Sequence, residues 1–151
     1  MLAIIATAEG RYRDPWHPFD ETTPALAGAL NDAGFDTHIL PVDEALDNLT
    51  TAELLAVNAG DPWRHETIPL GAPTAAIHGL DAALGRGIGV LAMHTSLASL
   101  RDYPSWPVAV GGMGTVWTVR DQADGALKVA KILQQSDAAS LLRFVREQSV
   151  R

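Results

Sequence analysis

Short, unbroken apolar runs alternate along this chain with stretches whose apolar residues recur every three or four positions. Leu2 to Ala6 is continuous rather than alternating, the pattern of a strand covered on both faces, as in a parallel sheet. Thr23-Pro24 places a capping hydroxyl before a proline at the first helical position. Leu26, Ala27, Leu30 and Ala33 then follow at helical spacing until Gly34 supplies a left-handed stop. Phe35 to Leu40 reads as a second strand with alternating character, and Glu53 to Asn58 as a third that is nearly all apolar. Pro73 to Leu84 is a predicted helix with Ala76, Ile77, Leu80 and Leu84 on one face, ended by Gly85-Arg86-Gly87. Ile88 to Met93 is the fourth strand and Thr115 to Val119 a weaker fifth. Ala126 to Gln134 and Ala138 to Gln148 read as two closing amphipathic helices, with Leu141, Leu142 and Val145 lining the inner face of the second.

Alternation of strands and helices in this order predicts an open α/β sheet. No internal repeat, low-complexity tract or linker interrupts it, so the 151 residues form one predicted domain. With 47% hydrophobic and 19% charged residues the composition is that of a globular protein. The net charge of -7 argues against nucleic acid and anionic membrane surfaces, because both call for a basic face. The absence of cysteine removes a disulfide framework, a thiolate nucleophile and any Cys-type metal site, and suits a cytoplasmic setting. Met1 to Ala8 lacks a positively charged leader, and its apolar run is too short for a secretory signal, so it reads as the first buried strand. No stretch approaches the roughly 18 apolar residues of a membrane span.

In open α/β sheets ligands bind outside the carboxyl ends of the strands. Three loops fall there. Residues 7 to 23, TAEGRYRDPWHPFDETT, are long for a connection and rich in polar and aromatic groups; residues 58 to 67, NAGDPWRHET, follow the third strand; His94-Thr95-Ser96 and residues 99 to 107, SLRDYPSWP, follow the fourth. Three of the four tryptophans, Trp16, Trp63 and Trp106, lie in these loops. Flat rings beside Arg, Asp and His suit stacking on a sugar or base, and each ring would equally serve as a cap on the core. At His94 an apolar strand stops at an imidazole and Thr95-Ser96 then open a helical turn, the strand-turn-helix layout of a nucleophile elbow without its flanking glycines. An imidazole beside a helix N-terminus has its cationic form disfavoured, which fits a general base, a hydrogen-bonding group or a metal ligand. Arg11, Asp14 and His17 in the first loop, with Asn58 and Asp61 at the end of the third strand, are positioned to hold hydroxyls or a carboxylate. No HxH, HxxxH or HExxH spacing marks a metal site, and no cofactor motif is present. His38, His65 and His78 read as surface or packing residues.

Two glycine-containing segments are excluded as phosphate loops. Gly85-Arg86-Gly87-Ile88-Gly89 precedes a strand where a dinucleotide fingerprint must follow one. In Thr7 to Gly10, Glu9 and the following Arg11-Tyr12 replace the hydroxyls and amides that would cradle a phosphate.

The segments EGRYRDPWHPFDETTPALAGALNDAGFD, LLAVNAGDPW and GIGVLAMHTSLASLRDYPSWPVAVGG, within residues 1 to 112, resemble the ThuA-like (trehalose utilisation) family, a branch of the class I glutamine amidotransferase-like fold. The resemblance implies a flavodoxin-like three-layer sandwich with a mostly parallel open sheet. It also implies that His94 stands where amidotransferases of this fold place their cysteine, so glutamine hydrolysis by that route is excluded. Disaccharide or keto-sugar metabolism is the implied setting, alongside an oxidoreductase that makes keto-sugars. From Met113 onward the chain departs from the family pattern, which carries a further His-Pro there, whereas no histidine follows His94.

Three functions emerge as expectations. The first is a carbohydrate enzyme with His94 as acid or base, Arg11, Asp14, His17, Asn58, Asp61, Thr95 and Ser96 around a sugar, and Trp16, Trp63 and Trp106 stacking on it. The second is a non-catalytic binding or accessory protein, as a homodimer or as the partner of a dehydrogenase. The third, metal-assisted hydrolysis, requires at least two histidines and a carboxylate to converge.

Overall fold

A computed structural model describes residues 1–61, 63, 69–111, 114–120 and 127–133. In chain order the elements are β1 (Leu2–Thr7), α1 (Phe19–Asp32), β2 (Asp36–Pro41), α2 (Val42–Asp47), β3 (Leu54–Asn58), α3 (Thr74–Arg86), β4 (Gly89–Met93), α4 (Trp106–Gly111), β5 (Gly114–Arg120) and β6 (Leu127–Leu133). Single 3-10 turns at Gly10–Tyr12 and His94–Leu97 come after β1 and β4. The sheet order is β2-β1-β3-β4-β6-β5. The first four strands are parallel, with Thr7 opposite both Pro41 and Asn58, while β6 runs antiparallel to β4 and to β5.

Side-chain alternation divides the core into two faces, as the pleat requires. Ile4, Ala6, Leu55, Val57, Val90 and Ala92 pack with Val42, Ala45 and Leu46 of α2 and Ala76, Leu80 and Ala83 of α3. Ile5 and Ala56 pack on the other side with Ala27, Leu26 and Leu30 of α1. Helices on both faces of a largely parallel sheet make this the expected flavodoxin-like α/β sandwich. Because both faces are covered, β1 and β3 carry no polar stripe, which is why they read as continuous apolar runs. Among the described residues no helix is long and apolar enough to cross a membrane.

Four elements, α1, α2, α4 and β6, differ from the sequence pattern, which placed the start of α4 in a loop. The first helix begins at Phe19 rather than after Thr23, so Pro24 sits inside it. Asp20 and Glu21 in its first turn complement the helix dipole. Thr23 is buried instead, its hydroxyl within 2.8 Å of the Thr7 hydroxyl and accepting from the Asn58 amide at 3.0 Å. The short helix α2 has no counterpart among the predicted elements; it starts directly at the end of β2 and buries Val42, Ala45 and Leu46. Leu127–Leu133 is a strand where the pattern predicts a helix over 126 to 134. Seven cross-strand pairs with β5, from Gly114 opposite Leu133 to Arg120 opposite Leu127, outweigh a mixed LKVAKIL pattern that fits either period. The predicted helix over 138 to 148 lies outside the described residues. Gly34 and Gly87 do terminate α1 and α3 with φ of 89° and 84°.

Candidate functional site

Strand order places the topological switch between β1 and β3, so the loops that leave those two strands and β4 share one crevice at the carboxyl edge. They are bound to one another through the backbone: Ala8 donates to the Asn58 carbonyl at 3.0 Å and Gly60 to the Tyr12 carbonyl at 2.8 Å. The β4 loop is bound by hydroxyls. Ser96 accepts from the Ala59 amide at 2.8 Å, Thr95 donates to the Ala59 carbonyl at 3.0 Å, and Ser99 donates to the Gly60 carbonyl. Thr95 and Ser96 therefore anchor the hinge to the neighbouring loop and do not cap a helix; β4 leads only into a single 3-10 turn.

His94 occupies this hinge with φ of 35°, left-handed backbone that a non-glycine residue rarely adopts. Its side chain is exposed and makes no hydrogen bond among the described residues. Its ring lies 5.2 Å, centroid to centroid, from that of His17, with the planes inclined by 57°. His17 is held from the other side by Asp14, whose Oδ1 and Oδ2 lie 2.7 and 2.9 Å from Nδ1. Asp14 also accepts the amides of Trp16 and His17 at 3.0 and 3.1 Å. Only 4% of Asp14 is exposed. Burial pushes its carboxyl up, but the hydrogen bonds from His17 and the two amides, with the adjacent imidazole, outweigh this and hold it below the ordinary carboxylate range. An ionised carboxylate can only accept, so Nδ1 of His17 is the donor in this bond. A Cβ at Gly60 would run into the Asp14 carboxylate and approach the Tyr12 carbonyl to 3.0 Å, so this glycine is what lets the β3 loop close over Asp14.

The remaining predicted residues divide between this crevice and internal structure. Trp16 is 61% exposed beside His17. Trp63 stands edge-on to Tyr12, centroids 5.8 Å apart, and packs against the core. Trp106 is wholly buried, its indole donating to the Ser96 carbonyl at 2.8 Å; it caps the core and offers no face to a ligand. Asn58 donates to the Thr22 and Thr23 hydroxyls. Asp61 is buried and receives Arg101 through two bonds of 2.9 and 2.6 Å. His38 and His78 are exposed, and His65 lies outside the described residues.

Arg11 turns away from the crevice into a polar cluster that the sequence did not disclose. Its guanidinium pairs with Asp43 at 2.7 Å and Asp102 at 2.9 Å and covers the Tyr12 ring at 4.5 Å. The Tyr12 hydroxyl lies 3.1 Å from Asp43 and 3.0 Å from Asp102, and Tyr103 donates to Asp43 at 2.7 Å. Burial pushes both phenols well above their ordinary pKa, helped at Tyr12 by Tyr103, Asp102 and Asp43 and at Tyr103 by the hydrogen bond to Asp43 and its charge, so they stay protonated donors. These groups come from the segments after β1, β2 and β4, and the Gly71 amide joins them on Asp102 at 3.3 Å. No spacing rule relates residues so far apart in the chain.

On the α1 side of the same edge a cleft of about 240 Å³ is lined by Thr7, Glu9, Phe19, Asp20, Pro24 and Ile39, among others. Phe19 connects it to the imidazole pair, its ring 5.7 Å from that of His17. Among the described residues no group of three His, Asp or Glu side chains is placed to hold a metal ion. No protein-family model matches the chain, and no curated protein matches it either.

Proposed function

We propose that this protein binds a disaccharide or keto-sugar at the carboxyl-edge crevice and transfers a proton on it through the Asp14–His17–His94 array. The observation that carries the reading is an imidazole oriented by a buried carboxylate and lying 5.2 Å from a second imidazole on a left-handed hinge. His17 Nε2 is the base, because Asp14 fixes the proton on Nδ1. His94 is its acid partner, close enough for both rings to reach adjacent atoms of one small substrate. Backbone conformations of this kind persist where surrounding contacts over-determine them, and they cluster at functional sites. Exposed Trp16 offers a flat apolar face for a sugar ring, and the cleft beyond Phe19 has room for part of a second.

The resemblance of the loop segments to the ThuA-like family supports the carbohydrate class, and a dehydrogenase that oxidises a sugar hydroxyl is the partner reaction that would supply a keto-sugar. Location in the cytoplasm fits a chain without cysteine. A binding or accessory role without turnover is favoured by one observation: Arg11, Asn58 and Asp61 are already committed to partners within the protein.

Thermal unfolding against a panel of disaccharides and keto-sugars, on wild type, His17→Ala and His94→Gly, tests the proposal. A ligand at a hundred times its dissociation constant adds about 2.7 kcal/mol of stability. The expected result is a sugar-dependent rise in the midpoint that diminishes in both variants, with turnover lost in both. No shift with any sugar overturns the carbohydrate reading, and a shift unchanged in both variants moves the site elsewhere. A shift without turnover in the wild type selects the accessory role.

A further inference from the structure

We propose that the His17–His94 pair is also a binding site for a divalent transition metal, with His17 Nε2 and a ring nitrogen of His94 as its two protein donors. Two imidazoles bound to one tetrahedral ion, each at about 2.0–2.1 Å from nitrogen to metal, have ring centroids roughly 5 Å apart. Here the centroids are 5.2 Å apart, and the rings are inclined by 57° rather than stacked face to face. Asp14 supplies what a ligating histidine ordinarily has behind it. Its carboxylate accepts the hydrogen bond from Nδ1 at 2.7 Å, which leaves Nε2 as the ring nitrogen that can meet a metal. His94 has no competing hydrogen bond among the described residues.

With two protein donors the other coordination positions belong to water or to oxygens of a bound ligand, so the ion is exchangeable. Metal and proton compete for the same lone pairs, and an occupied site silences His17 as a base. The imidazole donors select copper, nickel and zinc over calcium and magnesium. The site goes beyond the sugar reading and does not require it; only the expected inhibition of turnover rests on that reading.

The test uses untagged protein and Cu²⁺, the most strongly held ion of the series. Electron paramagnetic resonance is expected to show one Cu²⁺ per chain with two nitrogen donors from this pair. His94→Gly and His17→Ala should each remove one nitrogen and weaken binding at least tenfold. His94→Gly leaves the hinge conformation acceptable, so its loss of metal is not a loss of fold. Asp14→Asn should weaken binding by about tenfold while keeping both nitrogens, as expected of a group that orients a ligand. Absence of stoichiometric copper, or a spectrum and affinity unchanged in both histidine variants, overturns the proposal. Sugar-dependent stabilisation measured in chelator is a separate readout, so failure of the metal site and failure of the sugar reading are distinguishable.

Discussion

Replacing His94 by glycine should stabilise the fold while removing the proposed acid, and the comparison with alanine makes the reasoning quantitative. At φ of 35° the backbone of residue 94 is left-handed, a conformation that costs a residue with a Cβ roughly 1–2 kcal/mol. The His94 side chain is exposed, with its ring beside that of His17, so truncation forfeits little packing. His94→Ala retains the strained backbone and should unfold close to the wild type. His94→Gly relieves the strain but adds disorder to the unfolded chain, at roughly 0.5–1 kcal/mol. The net expectation is a glycine variant more stable than the alanine variant by about 0.5–1 kcal/mol. At exposed positions with ordinary backbone the order is the reverse. For a domain of this size that difference shifts the thermal midpoint by roughly 1–4 °C, and urea unfolding should show it as a changed midpoint with an unchanged slope. An alanine variant as stable as glycine, or more so, would refute the claim that the hinge stores strain. Both variants should lose the proposed proton transfer, an exchange of stability against function.

Gly60→Ala should destabilise by roughly 1–3 kcal/mol and impair ligand binding as well, because the new Cβ meets the Asp14 carboxylate and the Tyr12 carbonyl; equilibrium unfolding and the sugar-induced shift check the two effects. Asp14 has a depressed pKa, so its contribution is present above the ordinary carboxylate value of about 3.9 and is lost as the pH falls through the lower folded value. The stability gap between wild type and Asp14→Asn should accordingly shrink as the pH falls below about 4; a gap that widens in acid would reverse the sign. Tyr12→Phe removes the hydroxyl shared by Asp43 and Asp102 and should cost about 1–3 kcal/mol in chemical unfolding. Trp106→Ala should cost about 3–5 kcal/mol, since the ring is fully buried, and it should cost as much with ligand present as without.

The candidate site was legible in part, and the divide runs along a physical line. His94 announced itself because an apolar strand ended on an imidazole, and its place at a strand-to-turn hinge depends on local chain direction alone. His17 and Asp14 were visible as polar residues of a long loop, but the approach of His17 to His94, from a different loop far along the chain, was not. The tryptophans illustrate the limit from the other side. Trp16 and Trp106 look alike in sequence, each in a polar loop beside a proline; one is 61% exposed and the other fully buried. Which way an indole turns is settled by neighbours from other loops, such as the Ser96 carbonyl that accepts the Trp106 indole hydrogen bond.

By itself the sequence determined the class of fold, the four parallel strands and the edge of the sheet that carries the candidate site. These rest on short-range properties: apolar runs for strands with two covered faces, helical spacing between them, and glycine where α1 and α3 must end left-handed. Tertiary structure alone decided the rest. It drew 127–133 into a strand by pairing it with 114–120, committed Arg11 to Asp43 and Asp102, and brought the two imidazoles together. Each of these depends on partners distant in the chain, and no local pattern encodes the distance at which two loops meet.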